Sequence, residues 1–206
     1  MLLAIDTSAG TSVAVVDRDR GILAQADETD TRRHAEVIGT LIERVLHESG
    51  IAPASLSGVV AGMGPGPFTG LRVGIAAARA FAFGIGKPVV PLTSHDAFAL
   101  DLSEPLLVVT DARRREVAWS AYGAGDELGL PMRIAGPELT NPDEIDTAVP
   151  GYGTFRRLDA AVIPAGALGM LGERLFAAGR GFGPSEPLYL RAPDVTLSAG
   201  PKRVSR

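Results

Sequence analysis

Two acidic positions have the residue types and the placement for phosphate or metal chemistry. Asp6, Thr7 and Ser8 follow directly on the apolar run 2–5, and Asp111 follows the apolar run 106–110 in the same way. A carboxylate and small hydroxyls at the end of a strand could hold a magnesium ion and a phosphate. The alternative is that these side chains only satisfy backbone amides of the turn that follows. Both interpretations remain open from the residues alone.

A glycine-rich turn, GMGPGPFTG, occupies residues 62–70 and enters a predicted helix. Free backbone amides at such an entry can bind an anion. The turn lacks the lysine and the hydroxyl of a Walker loop, however, and it does not fit GxGxxG. A tight turn built for packing is therefore the favoured interpretation. Thr69 is the predicted N-cap of the helix, because its hydroxyl can accept hydrogen bonds from amides of the first turn.

The densest basic run consists of Arg113, Arg114 and Arg115, close to Trp119 and Tyr122. Arginines beside aromatic rings can bind nucleic acid through phosphate contacts and base stacking. A charged hairpin turn flanked by edge-strand aromatics explains the same residues and is the favoured interpretation. Nucleic-acid binding by the three arginines stays a hypothesis.

The histidines do not predict a metal site. His34 and His47 lie on different sides of one predicted helix, and with His95 as the third histidine the sequence has no HxxxH or HExxH pair. Residues 94–96 are Ser, His and Asp, but the members of a catalytic triad come from separate segments of a chain. A capping box at 93–96 fits these residues better.

Composition predicts a globular, cytoplasmic protein. The 206 residues are 46% hydrophobic, which is enough for a substantial core, and the formal net charge is -4. No charge-free apolar run reaches the ~18 residues of a membrane span, and the start MLLAIDTS lacks the basic residues of a signal peptide. Because the chain has no cysteine, it cannot use disulfides, thiolate catalysis or cysteine-ligated zinc.

Apolar runs and turns predict an α/β organisation in two halves. The first half contains a three-stranded antiparallel meander at 2–26, a helix at 33–49, a strand at 59–61, a central helix at 70–83 and a strand at 87–92. The second half follows a boundary at 103–105 and begins with a hairpin of strands 106–110 and 117–122, followed by a loose glycine-rich stretch. A short helix from 140, strands at 149–153 and 161–163 and a helix at 165–178 come next. An extended segment at 187–191 and a mobile tail from 198 complete the prediction. Because Asp111 mirrors Asp6, the two halves are predicted to be related lobes.

Both helices of the first half carry more apolar surface than one sheet can cover. Apolar side chains of the helix at 33–49 spread over about half of its circumference, which is wider than the stripe of a surface helix. The central helix has only two charged residues, and Gly70, Gly74 and Ala78 at spacings of four would let another backbone come close. A second domain or a second chain is therefore expected against these helices.

Five segments, in this order and spacing, resemble the bacterial TsaB (YeaZ) family of the TsaD/Kae1/TsaB superfamily. They are LAIDTS at 3–8, RHAEVI at 33–38, GMGPGPFTGLRVG at 62–74, DARRREV at 111–117 and PLYLR at 187–191. The resemblance implies an α/β, actin-like ATPase (ASKHA) fold with two RNase-H-like lobes, whose mixed sheets are flanked by helices. We expect an N-terminal lobe at 1–104, a smaller C-terminal lobe at 105–195 and a flexible tail at 196–206.

The resemblance also implies a role in tRNA modification. In this family the TsaB subunit is a non-catalytic scaffold of the complex that installs the threonylcarbamoyl group on N6 of the adenosine next to the anticodon. The paralogue TsaD binds the metal and catalyses the transfer, TsaB pairs with TsaD, and the ATPase TsaE joins them. The implied expectations are that this chain meets tRNA through the complex, holds no metal and no tightly bound cofactor, meets ATP or ADP only within the complex, and can form a homodimer in isolation.

The resemblance places the pairing surface on the two apolar helices. Its expected residues are His34, Val37, Ile38, Leu41, Ile42, Val45, Thr69, Gly70, Arg72, Val73, Gly74, Ala77, Ala78 and Phe81. From the residues themselves, Asp6, Thr7, Ser8 and Asp111 are the candidates for a vestigial nucleotide site, and Arg113, Arg114 and Arg115 are the candidates for a tRNA contact. Two departures from the family pattern are Pro67 and Ala35, which stand where serine is common. Pro67 removes a hydroxyl and an amide from the turn, which weakens phosphate binding there.

Two other classes of function compete with the scaffold. An independent ATPase or glycoprotease-like hydrolase would depend on Asp6, Thr7 and Asp111. A stand-alone tRNA-binding module would use the three arginines, and its binding would depend strongly on salt.

Overall fold

The computed structural model describes residues 1–191, so the tail predicted at 196–206 lies outside the described residues. The strands are β1 (Leu2–Asp6), β2 (Thr11–Asp17), β3 (Gly21–Glu28), β4 (Gly58–Gly62), β5 (Val89–Leu92), β6 (Leu106–Arg113), β7 (Glu116–Tyr122), β8 (Arg133–Thr140) and β9 (Arg156–Asp159). The α-helices are α1 (His34–Ser49), α2 (Phe68–Gly84), α3 (Ile145–Ala148) and α4 (Ala165–Ala177). Short 3-10 turns occupy Pro53–Ser55, Ser94–Phe98, Pro142–Glu144 and Tyr152–Thr154. In this part of the chain no helix has the length and apolarity to cross a membrane.

The first sheet has the strand order β3-β2-β1-β4-β5. β1, β2 and β3 form the predicted antiparallel meander, while β4 runs parallel to β1 and β5 runs parallel to β4. Because side chains alternate across a strand, β1 contributes to two cores. Leu3 and Ile5 pack with α1 and α2 on one face, and Leu2 and Ala4 pack with α4 on the other.

The second sheet repeats the beginning of the first. Its order is β8-β7-β6-β9, in which β6, β7 and β8 form an antiparallel meander and β9 runs parallel to β6. The same arrangement of three antiparallel strands followed by one parallel strand therefore occurs twice. This repeat confirms the predicted fold class, an actin-like α/β fold of two RNase-H-like units with helices flanking mixed sheets.

Three predicted elements of the second half were wrong. The stretch expected to be loose contains β8, whose internal glycine and proline mimic a loop signal but are tolerated because β8 is an edge strand. Residues 149–153 form a turn rather than a strand, since Val149 N bonds back to Ile145 O. The strand predicted at 161–163 lies earlier, in β9, where the sequence RRLD gives no apolar run.

The residue range of helix α4 was predicted correctly to within one residue. The helix follows the second sheet in the chain but packs on the first sheet. Leu168 and Leu171 are buried against that sheet in the same cluster as Leu2 and Val16. The second half of the chain thus covers the face of the first sheet that α1 and α2 leave open. The predicted division into lobes at 104 stays a prediction.

A buried polar contact joins the two sheets at the 3-10 turn Ser94–Phe98. His95 is fully buried, with Nδ1 2.8 Å from Ser120 Oγ on β7 and Nε2 3.0 Å from Thr110 Oγ1 on β6. Burial, and secondarily the charge of Arg133, lowers the pKa of His95 to about 3. The imidazole is therefore neutral. It links the 3-10 turn to β6 and β7 of the second sheet by hydrogen bonds and is not a member of a catalytic triad.

The residue that follows His95 strengthens this contact. Tyr122 Oη donates a 2.7 Å hydrogen bond to Asp96 Oδ1, and Arg133 lies 3.7 Å from the same oxygen. Burial raises the pKa of Asp96, although Arg133 and the hydrogen bonds oppose this change. The capping box predicted at 93–96 was wrong, because Thr93 makes no side-chain cap hydrogen bond.

The neutral His95 predicts a loss of stability in acid. Unfolded His95 takes up a proton below about pH 6.5, whereas the folded state excludes that proton until about pH 3. Acidification from pH 7 to pH 5 should therefore cost about 2 kcal/mol of unfolding free energy from this group. Urea titrations at both pH values measure the cost.

The matched variant for this test is His95→Gln, which cannot take up the proton. Its stability should fall less than that of the parent between pH 7 and pH 5, whatever its stability at pH 7. Equal pH dependence in the two chains would contradict the assignment of a neutral His95.

Candidate functional site

The tip of β1 is closed rather than open to solvent. Asp6, Thr7 and Ser8 are all buried. Asp6 Oδ1 accepts hydrogen bonds from Ser8 N at 2.8 Å and from Ser8 Oγ at 2.6 Å, while within residues 1–191 Oδ2 has no hydrogen-bond partner. Burial raises the pKa of Asp6, and the hydrogen bonds from Ser8, together with the nearby Ser94 hydroxyl, only partly oppose this.

The glycine-rich turn lies directly against this strand tip. A Cβ added to Gly62 would come within 1.8 Å of Asp6 Oδ2, and one added to Gly66 would come within 2.3 Å of Ser8 O. The glycines therefore allow the turn to cover Asp6 and Ser8, which supports the packing interpretation. Asp111 is exposed and accepts from Arg113 N at 2.8 Å within its own hairpin. The vestigial nucleotide site stays a prediction.

Thr7 connects the strand tip to α2. Its hydroxyl donates to Gly70 O at 2.7 Å and accepts from Gly74 N at 3.0 Å. In a regular α-helix the N–H of residue 74 hydrogen-bonds to the C=O of residue 70. The Thr7 hydroxyl therefore lies directly against the helix backbone, in contact with both groups. The close approach predicted along Gly70, Gly74 and Ala78 exists at the two glycines. Gly70 faces the carbonyl oxygen of Thr7 and Gly74 faces its side chain, so the approaching residue is the one that follows β1 of this chain.

Helix α2 begins two residues earlier than predicted, at Phe68 instead of Gly70. Its N-cap is Pro67, which has no side-chain acceptor, and Leu71 N bonds to Pro67 O at 3.1 Å. The prediction of Thr69 as N-cap was wrong, because Thr69 already lies inside the first turn, exposed to solvent. Its hydroxyl is therefore not used for capping.

The residues predicted to bind a partner fall into two groups. His34, Ile38, Leu41, Val45, Gly70, Gly74 and Ala78 are buried within this chain, whereas Val37, Ile42, Val73, Ala77 and Phe81 are half-buried and Thr69 and Arg72 are exposed. The first group packs on the first sheet or on neighbouring elements of the chain. Only the second group remains available to a partner, so the pairing surface stays a prediction for those residues.

The open side of α2 carries an apolar seam, of which the predicted pairing surface included Thr69 and Val73 but not Ala76, Ala80 and Phe83. Thr69, Val73, Ala76, Ala80 and Phe83 follow one another at spacings of four, three, four and three residues. This is the spacing of a helix face that packs along another helix. Val73 is half-buried, the other members are exposed, and Phe83 is 89% exposed. We call these five residues the α2 seam.

His34 lies beside the start of α2 as a buried, structural side chain. Its Nδ1 is 2.7 Å from Thr11 Oγ1. Burial, followed by the charge of Arg113, lowers the pKa of His34. Among the described residues, no group of three or more His, Asp or Glu side chains is placed to hold a metal ion.

Two cavities meet at the amino end of α2. One, of about 430 Å³, lies between Pro67, Phe68 and Thr69 on one side and the β6–β7 hairpin, β8 and residues 189–191 on the other. The second, of about 450 Å³, is lined by the start of α1, including His34, and shares Pro67, Thr69 and Arg113 with the first. Asp6, Thr7, Ser8 and Asp111 line neither cavity.

The three arginines of the hairpin turn have different positions. Arg113, Arg114 and Arg115 all adopt positive φ angles, of 67°, 56° and 61°, but only the first two line the 430 Å³ cavity. The hypothesis of nucleic-acid stacking on Trp119 and Tyr122, which was not the favoured interpretation, is wrong, since Trp119 is 1% exposed and Tyr122 is fully buried. The aromatic rings near the arginines are instead Phe68 and Tyr189, which the sequence separates from them widely.

Comparisons with known proteins identify the family to which this chain belongs. The family model of TsaD, tRNA N6-adenosine threonylcarbamoyltransferase, matches residues 21–151, which is more than half of the chain. The chain belongs to the TsaD family. A protein of Mycobacterium tuberculosis is 36% identical over 207 residues, covering 94% of this chain and 93% of that relative.

The TsaB (YeaZ) branch of this family is the one that the chain resembles. YeaZ from Pseudomonas aeruginosa superimposes with a TM-score of 0.70 at 26% identity, covering 92% of this chain and 99% of YeaZ. The Haemophilus influenzae tRNA threonylcarbamoyladenosine biosynthesis protein TsaB is 37% identical over 125 residues, covering 58% of this chain and 52% of that protein. The chain spans 40% of a 39% identical relative from Mycobacterium leprae. The predicted resemblance is confirmed.

The contact of Thr7 with α2 predicts unequal effects of two glycine substitutions. Gly74→Ala should destabilise the chain by about 1–3 kcal/mol, because the new Cβ would come within 2.2 Å of Thr7 Oγ1. Gly39→Ala on α1, where no atom lies within 4 Å, should instead leave stability unchanged or raise it by up to about 1 kcal/mol. Urea unfolding measures both, and equal effects would contradict the packing of Thr7 against α2.

Proposed function

We propose that this chain is the non-catalytic TsaB-type subunit of the machinery that makes threonylcarbamoyladenosine in tRNA, and that it pairs with the catalytic subunit TsaD. The likeness to YeaZ along nearly the whole chain and the family match support a role in this pathway. In this proposal TsaE joins the pair, tRNA binds the assembled complex, and ATP or ADP enters at that stage. The cytoplasm is the proposed location, because the pathway acts on tRNA.

The α2 seam is the observation that carries the pairing proposal. A helix whose buried face already packs on its own sheet has no internal use for a second apolar face. The seam nevertheless continues over four turns and contains small residues at its centre, Ala76 and Ala80. Small side chains there allow a partner helix to approach closely, and Phe83 provides a large apolar contact at one end. The matching helix of a paralogous TsaD is the proposed occupant.

Helix α1 extends the proposed surface beside the seam. Val37 and Ile42 are half-buried, and Ala35 lines a cavity together with Val73 and Thr69 of α2. An interface formed by two helices from each partner would have an apolar centre and a polar rim, as stable protein–protein interfaces commonly do. Glu36, Glu43 and Arg44 on the outer side of α1 are exposed and would form that rim.

A non-catalytic role is supported by the closed tip of β1. A carboxylate that positions a metal or a phosphate must face the ligand, whereas Asp6 is 1% exposed beneath the glycine-rich turn. The competing hydrolase hypothesis needs Asp6 to act on ATP or peptide. Hydrolysis by the purified chain that is lost in Asp6→Asn, with unchanged thermal stability, would favour the hydrolase over the scaffold.

A charge placed in the centre of the seam should block pairing. Ala76→Arg and Ala80→Arg put a long cation where the partner helix would lie, yet both positions are exposed in this chain, so the fold should be retained. Each variant should weaken binding to TsaD from the same organism by at least about thirtyfold. Size-exclusion chromatography with light scattering and calorimetric titration measure the mass and the affinity of the complex.

The matched control is Ala177→Arg, an exposed alanine at the end of α4 on the other face of the sheet. It should bind TsaD as the parent chain does. Equal binding by all three variants would remove the seam from the interface. A parent chain that forms a dimer with itself and never a complex with TsaD would assign the seam to self-association instead.

A further inference from the structure

The segment 183–189, which we call the α2 strap, crosses the edge of the first sheet and then follows α2. Gly183 N donates to Pro91 O of the edge strand β5 at 2.9 Å, and Leu188 N donates to Met63 O at 2.8 Å. These bonds carry the chain from the end of α4, on one face of the sheet, to α2 on the other face. A part of the chain that follows α4 therefore lies beside the first-half helices.

Both charged residues of α2 bind the α2 strap. Arg79 Nη2 donates to Ser185 O at 2.7 Å, and Arg72 Nε donates to Tyr189 Oη at 3.3 Å. At about 100° per residue the two arginines lie about 20° apart around the helix. The remaining residues of α2 are uncharged. The α2 strap thus holds both cations on one flank of the helix, and the α2 seam beside them carries no charge.

The α2 seam lies between the α2 strap and α1. Ala76 and Phe83 are within about 60° of both arginines around the helix, so the α2 strap borders that side of the seam. On the other side, Ala35 of α1 lines a cavity together with Thr69 and Val73. The seam is therefore the floor of a groove with α1 and the α2 strap as its two walls. Apolar grooves of this kind receive the apolar face of a helix.

The two walls of the groove carry exposed carboxylates. Glu43 on α1 and Glu186 on the α2 strap are exposed, and within residues 1–191 neither of them forms an ion pair. Charges at the rim of an interface orient the partner when charges of opposite sign face them. The occupant that fits this groove is a helix with an apolar face and with lysine or arginine along its edges.

From these observations we propose that the α2 strap is part of the surface that receives the partner, with Glu186 opposite a cation of the partner helix. The inference rests on the proposed function, because its occupant is the TsaD helix that covers the α2 seam. It adds a contact from the second half of the chain to the pairing of helices. By binding Arg72 and Arg79, the α2 strap also spares the partner helix from covering an unpaired cation, which would be costly.

Charge reversal in the α2 strap tests the proposal in calorimetric titrations of the full chain with TsaD from the same organism. Glu186→Lys should weaken pairing at least about tenfold at low salt. The loss should shrink as salt is raised, because charges at a rim are screened. The matched control is Glu127→Lys, which makes the same change of net charge at an exposed position in the loop before β8. It should bind as the parent chain does, and thermal unfolding verifies the fold of each variant.

Thiol labelling locates the α2 strap in the complex. Ser185→Cys retains the backbone carbonyl that Arg79 binds and places one thiol on an exposed part of the α2 strap. Adding TsaD should slow the reaction of this thiol with a maleimide at least about fivefold, because an interface excludes water and reagent.

Each result decides the proposal. Weakening by Glu186→Lys alone, together with protection at position 185, supports it. Equal weakening by Glu127→Lys would overturn it, because the overall charge of the chain would then explain the loss. Unchanged labelling at position 185, while Ala76→Arg blocks pairing, would overturn it and leave the proposed function in place. A complex that both Ala76→Arg and Glu186→Lys leave intact, or no complex with TsaD at all, would remove the α2 strap and the α2 seam together.

Discussion

The position of α2 depends on one contact, the seat of Thr7 against the helix backbone. The Thr7 hydroxyl reaches Gly70 O and Gly74 N, which is possible only because both helix residues lack a Cβ. The contact presses α2 onto the end of β1, and the glycine-rich turn that precedes α2 is thereby laid over Asp6 and Ser8. Asp6 and Ser8, which could have formed an open phosphate site, are therefore buried in the packing between the strand tip and the turn. The same contact determines which face of α2 remains outside.

The two faces of α2 therefore have different uses. One face consists of small and branched residues that join the core with β1 and β4. The other is the α2 seam, apolar and solvent-facing. Exposed apolar side chains cost free energy in water, so a continuous seam is understandable where another protein covers it. The amino end of the same helix adds Phe68 and Thr69 to the lining of the 430 Å³ cavity.

Much of the fold could be predicted from the sequence, because buried strands such as β1, β2 and β6 are short apolar runs bounded by turn residues. β8 and β9 could not, since edge strands with a proline or with mostly polar residues lack that signal.

The candidate site was harder to predict than the fold. The sequence shows that α2 is apolar nearly all round, but it cannot tell which face meets its own sheet, so Gly74 and Ala78 were assigned to a partner. Trp119 and Tyr122 were assigned to an edge strand, because the sequence does not show that β8 pairs with the other side of β7.

The most direct measurement uses the absence of cysteine from the chain. A single cysteine introduced as Ala80→Cys in the seam, or as Ala177→Cys on α4, gives one thiol whose reaction with a maleimide can be timed. Adding TsaD should slow labelling at position 80 at least about tenfold and leave labelling at position 177 unchanged. Unchanged labelling at position 80, under conditions where light scattering shows the complex, would contradict the account that α2 presents its outer face to the partner.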